Sequence, residues 1–239
     1  MRLDKFLSSQ GICSRKQAAK LVKDKCVKVN GVCASKSDIK INAERDIIEV
    51  GGEIVAYTKY IYIMMNKPKG VLSASADRNA QTVIDILPEN LKRRGLFPAG
   101  RLDKDTTGLM IITDDGEFAH KMLSPKSGVY KLYLAELDCD LSESGKAALE
   151  HGITLNDGTE YRPAKISFEN TNNRSRVLAE ISEGKFHEIK RMFKAVGCEV
   201  LELKRLRIGN LFLDENLAGG EARLMSLNEL KMVFSGNNN

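Results

Sequence analysis

At Tyr60 the hydrophobic pattern of this chain changes period. Before it, apolar residues recur at helical spacing in short stretches separated by polar turns. After it they come in strand-length runs such as Ile61 to Met65 and Leu109 to Ile112, punctuated by glycine and proline. A helical period and a strand period bury different faces, so the two stretches call for separate cores. The pattern predicts two domains, residues 1–58 and 59–235, with no flexible linker of note and a short disordered tail at 236–239. A chain of 239 residues that is 42% hydrophobic is long enough for both. Helical patterns at 82–87, 116–123, 142–150 and 185–196 interrupt the strands of the second part, which makes the fold class α+β.

In the first part, Leu3, Phe6 and Leu7 fall at i, i+3, i+4 and Gly11 can end a helix over residues 2–10. Ser14 and Gln17 form a capping box for a second helix, with Ala18, Leu21 and Val22 as its buried stripe. Lys16, Lys20 and Lys23 line another side of it, with Arg15 close by and no acidic residue at matching spacing. Val27 to Val32 alternates around Asn30-Gly31, and Ile47 to Val55 around Gly51-Gly52, so each reads as a hairpin. Residues 1–40 hold ten Lys or Arg against three Asp or Glu, a surplus of +7 that exceeds the chain's whole +5 and leaves −2 for the rest. The plain reading is a solvated lysine face; the sharper one is a basic head that finds a polyanion. The run RLDKFL followed by SRKQAAKLVKDKCVKVNG resembles the S4 RNA-binding module over residues 1 to about 55. That resemblance implies binding of structured RNA through the second helix, with Arg2, Lys5, Arg15, Lys16, Lys20 and Lys23 as contact positions.

Several classes are disfavoured. No apolar run approaches the roughly 20 residues of a membrane-spanning helix, and MRLDKF lacks the apolar region of a signal peptide. A soluble, cytoplasmic protein with no membrane partner is expected. Five cysteines without a C-x-x-C pair read as reduced core thiols, and three scattered histidines argue against a metal site. No dinucleotide or P-loop fingerprint is present.

The segment GRLDKDTTGLMIITDDG at residues 100–116 is a polar, glycine-flanked loop running directly into an apolar strand. Three readings compete for its carboxylates. Acidic residues favour turn geometry, which suits Asp114 and Asp115 before Gly116. Asp103, Asp105, Thr107, Gly108 and Asp114 also match part of a calcium-loop template, although Pro98, Gly95 and Gly100 spoil the entering helix. The third reading is a catalytic carboxylate.

GRLDKDTTGL resembles the signature loop of the pseudouridine synthases, in particular the RsuA-type branch in which an S4 module precedes the catalytic domain. The likeness continues through NKPKGV at 66–71, KLY at 131–133 and ISEGKFHEIKRMF at 181–193. It implies an isomerase that breaks the N1–C1′ bond of a uridine, turns the uracil and rejoins it through C5, with no cofactor. Asp103 would act at the ribose, as nucleophile at C1′ or base at C2′, much as glycosidase carboxylates do. Lys190 would pair with Asp103, where some branches carry arginine. Tyr133 would stack on the uracil and help remove the C5 proton, and Arg101 would fill the space left by the flipped nucleotide. His120 and His187 receive no role. The resemblance further implies a largely antiparallel mixed sheet crossed by the active-site cleft. Its partner would be ribosomal RNA, met as an assembly intermediate by a monomeric enzyme. The target would be small-subunit 16S rRNA, with large-subunit rRNA and a noncatalytic RNA-binding factor as the alternatives.

Overall fold

The computed structural model describes residues 1–170 and 173–235, so the tail expected at 236–239 lies outside the described residues. The chain forms two compact units, Met1–Ile61 with Pro88–Leu96, and Tyr62–Leu87 with Phe97 onward.

The first unit starts with α1 (Leu3–Ser9) and α2 (Arg15–Lys23). Ser14 and Gln17 make both bonds of the capping box. The strands β1 (Val27–Val29), β2 (Val32–Cys33), β3 (Ile48–Val50) and β4 (Glu53–Ile54) follow, ordered β2-β1-β3-β4 and antiparallel throughout. Asn30 and Gly31 both take positive φ, at 51° and 79°, as a tight two-residue hairpin requires. Leu3, Phe6, Leu7, Ala18, Val22, Val27 and Ile48 make the core. Pro88–Leu96 joins this unit partly through Arg93, whose guanidinium donates to the carbonyls of Thr58 (3.1 Å) and Lys59 (2.9 Å).

The second unit contains β5 (Tyr62–Lys67), β6 (Phe97–Pro98), β7 (Thr107–Thr113), α3 (Gly116–Leu123), β8 (Lys131–Leu137) and α4 (Glu143–His151). It continues with β9 (Ile153–Thr154), β10 (Glu160–Tyr161), β11 (Lys165–Asn170), β12 (Asn173–Ile181) and α5 (Glu188–Ala195). Then come β13 (Val200–Ile208), β14 (Leu211–Phe212), β15 (Ala222–Leu224) and α6 (Leu227–Phe234). Its main sheet runs β11-β12-β8-β13-β7-β5-β15, with β14 on β13 and β6 on β7. Among the described strands of this sheet only the β13–β7 pairing is parallel, so the sheet is mixed but mostly antiparallel. β7 is central, and Leu109 to Ile112 are fully buried, which explains their unbroken apolar run. Where β7 meets β13, Gly108 pairs with Arg205 and takes φ +98°. A Cβ there would lie 2.3 Å from the Arg205 carbonyl oxygen and 2.8 Å from its nitrogen, so only glycine fits.

Several expectations are corrected. Residues 82–87 form a turn instead of a helix: the Asp85 carboxylate accepts from Thr82 N and Oγ1, and Pro88 follows. A local side-chain bond has replaced the helical ladder. The 185–196 helix begins only at Glu188, after His187 in the left-handed region. The calcium-loop reading fails because residues 107–113 are a strand paired on both sides. Asp115 caps α3 by accepting from Glu117 N and Phe118 N, and it also accepts from the Tyr62 hydroxyl at 2.6 Å. Among the five cysteines only Cys198 is buried; Cys33 is exposed on the edge strand β2. No helix among the described residues is long and apolar enough to cross a membrane.

Candidate active site

The loop 100–106 is held from beneath by the NKPKG segment. The Lys67 ammonium is fully buried and donates to the carbonyls of Pro68 (3.1 Å), Lys104 (3.3 Å) and Thr106 (2.9 Å). Burial lowers its pKa to about 8, against the pull of Asp105 and Asp103. Gly70 N donates to the Lys104 carbonyl at 2.7 Å. Ser73 Oγ donates to Leu102 O (2.7 Å) and accepts from Leu102 N (3.0 Å). With its carbonyls so engaged, and Thr106 N closing a turn onto Asp103 O at 3.1 Å, the loop turns the Asp103 carboxylate toward a cleft.

Opposite stand the turn 184–187 and α5. Lys190 Nζ lies 2.5 Å from Asp105 Oδ2 and 4.0 Å from Asp103 Oδ2, so the expected partner of Asp103 is engaged first by Asp105. That hydrogen bond holds the Asp105 carboxyl below the usual range in spite of burial. His187, expected to play no part, reaches closer: its Nε2 is 3.4 Å from Asp103 Oδ1. The helical pattern over 185–196 takes in a residue that α5 leaves out. Ile189, Met192 and Phe193 are buried, whereas Phe186 lies before the helix and is exposed.

Tyr133 sits on the buried face of β8, opposite Ala179 of β12 and Arg205 of β13, and it lines the cleft with Arg101, Asp103 and Lys190. The four residues expected to carry the chemistry therefore share one cavity. Its inner part, also lined by Ile181, His187 and Ile189, is about 60 Å³. The outer part, which adds Asp77, Lys104 and Phe186 around Arg101 and Asp103, is about 490 Å³. Only the outer part reaches the roughly 300–1,000 Å³ of small-molecule sites. The Lys190–Asp105 and His187–Asp103 contacts draw the inner walls together.

Beneath the site lie charged groups that the sequence reading missed. Lys131 is buried on the face of Tyr133, donates to Ser182 O at 3.4 Å, and has its pKa lowered to about 8 by burial and then by Arg205. Arg205, also buried, donates Nε–H to Leu109 O at 2.7 Å. Buried Glu188 accepts from Lys185 N at 2.7 Å and is raised in pKa chiefly by burial. The alternation of KLYLAEL, which puts Lys131 on the same side as Tyr133, was the one available signal. Among the described residues the one grouping of possible metal ligands is Asp138, Cys139 and Cys198, none of which lines the cleft.

In the first unit the six basic positions divide. Arg2 (3.0 Å) and Arg15 (2.9 Å) both pair with Asp4, a buried carboxylate. Burial pushes Asp4 up in pKa, and the two guanidinium groups together hold it below its usual value. Lys5, Lys16, Lys20 and Lys23 are exposed, and none has a carboxylate partner among the described residues.

A carboxylate facing a cation-rimmed, partly apolar cleft with a tyrosine in its wall, on a chain whose other unit carries exposed lysines, fits an enzyme acting on a polyanion. The sequence matches the RNA pseudouridylate synthase family over residues 61–195 and the S4 domain over residues 1–47. The chain belongs to the RNA pseudouridylate synthase family, the isomerases that make pseudouridine in RNA, and carries an S4 domain at its head. It is 42% identical to an uncharacterized RNA pseudouridine synthase of Bacillus subtilis, over 98% of both chains. It is 38% identical to ribosomal small subunit pseudouridine synthase A of Yersinia pestis, again over 98% of both. With ribosomal large subunit pseudouridine synthase B of Bacillus subtilis it shares 36% identity, over 97% of this chain and 95% of the other. A crystal structure of a pseudouridylate synthase superposes with a TM-score of 0.67 at 35% identity, covering 98% of this chain and 99% of that one.

Proposed function

We propose that this chain isomerises one uridine of ribosomal RNA to pseudouridine, with Asp103 acting at the ribose of a flipped-out nucleotide. The observation that carries the reading is the clustering of Asp103, Tyr133, Arg101 and Lys190 around a single cleft. Asp103 attacks C1′ or takes a proton from C2′; on either route the N1–C1′ bond breaks, the uracil turns, C5 bonds to C1′ as the Asp103–C1′ bond breaks or the proton returns to C2′, and the C5 proton leaves while N1 gains one. Lys190, near both loop carboxylates, keeps negative charge favourable where the ribose must approach. Tyr133 stacks on the uracil and Arg101 takes the place vacated in the RNA. Residues 1–58 act as the RNA-binding domain, with Arg2, Lys5, Arg15, Lys16, Lys20 and Lys23 toward phosphates, and residues 59–235 as the catalytic domain.

The target we favour is small-subunit rRNA, reached in the cytoplasm as an assembly intermediate by a monomer. The support is the identity with the small-subunit enzyme; the similar identity with a large-subunit enzyme makes 23S rRNA the second reading. Tritium release from rRNA transcripts labelled at uridine C5 tests the reaction. Wild-type chain releases tritium from 16S transcript, and Asp103→Asn abolishes release while leaving RNA binding in place. Full-rate release by Asp103→Asn refutes the assignment, and release from 23S transcript alone reverses the target.

A further inference from the structure

Phe186 is the most exposed aromatic side chain among the described residues, at 75%. Its ring stacks on the imidazole of His187, with centroids 3.8 Å apart and planes at 16°, and its other face is open to solvent. A ring so exposed contributes little to the core, yet its setting is tightly specified. His187 holds φ +50°, a backbone that side-chain-bearing residues rarely adopt. The buried Glu188 carboxylate secures that turn by accepting from Lys185 N at 2.7 Å. His187 Nε2 in turn meets Asp103 Oδ1 at 3.4 Å, so the stack is fixed relative to the reacting carboxylate. Both rings line the outer cleft of about 490 Å³ together with Arg101, Lys104 and Lys185.

We propose that the Phe186–His187 stack is a platform for one unpaired RNA base, that of a nucleotide adjacent to the flipped uridine. The inference rests on the reading of Asp103 as the group that receives that uridine. A strand that has extruded one nucleotide has lost stacking at its neighbours, and an exposed ring replaces it. Lys104, exposed beside the stack, suits a phosphate next to that base. Because every base has a π-face, the platform supplies affinity and orientation and carries little sequence readout. The inner pocket, with Tyr133 in its wall, is left for the uracil itself.

The test uses the full chain and the rRNA transcript from which wild-type protein releases tritium. Phe186→Ala raises KM about tenfold or more, in line with the loss of one base–aromatic stack, with kcat within about twofold. Phe186→Leu, apolar but unable to stack, shows the same loss, whereas Phe186→Tyr and Phe186→Trp return KM to near the wild-type value. The urea midpoint of all four variants stays at that of wild type. An unchanged KM in Phe186→Ala, a fall in kcat alone, or a Leu variant as good as the Tyr variant overturns the platform while leaving the reaction assigned. Failure of wild-type chain to release tritium from any rRNA transcript, free or assembled with ribosomal proteins, overturns the reaction and the platform together.

Discussion

Substituting Gly108 with alanine should unfold or inactivate the catalytic unit although the change adds a single methyl group. The new Cβ would lie 2.3 Å from the carbonyl oxygen and 2.8 Å from the nitrogen of Arg205. Both are backbone atoms in a sheet, so no side-chain rotation relieves the overlap, and β7 must move off β13. Overpacking of this kind costs about 1–3 kcal/mol, and a side chain held at φ +98° adds roughly another 1–3 kcal/mol. Together they reach about 2–6 kcal/mol, a large part of the roughly 5–15 kcal/mol that holds a domain folded. The site suffers as well, since Asp103 lies five residues before Gly108 on the same chain entry into the sheet. Gly158→Ala is the control: that glycine also has positive φ, at 80°, but nothing lies within 4 Å of its added Cβ. Urea unfolding monitored by circular dichroism, with tritium release on the same samples, reads both effects. Equal loss of stability in the two variants would refute the steric argument.

Two further outcomes follow from the charges. Lys67 and Lys131 each have a folded-state pKa of about 8 against 10.5 unfolded, so between those values the unfolded chain holds more protons and stability rises with pH. Each lysine relieves about 3 kcal/mol across that window, at roughly 1.4 kcal/mol per pKa unit; the rise in urea midpoint from pH 8 to pH 10 should shrink in Lys67→Met, and an identical rise contradicts its burial as a cation. Replacing Lys16, Lys20 and Lys23 by glutamine should lower the slope of log affinity against log salt by about 2–3, at roughly 0.7–0.9 per phosphate contact; filter binding of rRNA across a salt series measures it, and an unchanged slope removes that helix from the interface.

The parts of the fold that were legible are those set by neighbours in sequence. Asn30-Gly31 and Gly51-Gly52 specified hairpins, Ser14 with Gln17 a helix start, and the run 109–112 a buried strand. Errors arose where a local side-chain bond competed with periodicity, as with Asp85 over 82–87, or where a buried group acted as an anchor. Phe186, Ile189 and Phe193 fit a helical stripe, but the period cannot register that Glu188 turns inward and that His187 reverses the backbone before the helix starts. Nothing in the spacing marks Lys67 and Arg205 as interior; both are buried, and carbonyls distant in sequence accept from them. The motifs brought Asp103, Tyr133, Arg101 and Lys190 to one cavity, while the preference of Lys190 for Asp105 depends on a loop conformation that spacing does not encode.

The parallel strand pairing of the main sheet, β7 beside β13, joins segments 96 residues apart at the Arg205–Leu109 bond. A polypeptide emerging from the ribosome therefore has its first unit's sequence complete at Leu96, more than a hundred residues before the strand that backs the catalytic loop. Premature termination anywhere in that interval would yield a fragment bearing the basic helix α2 without the strand that completes the sheet behind Asp103.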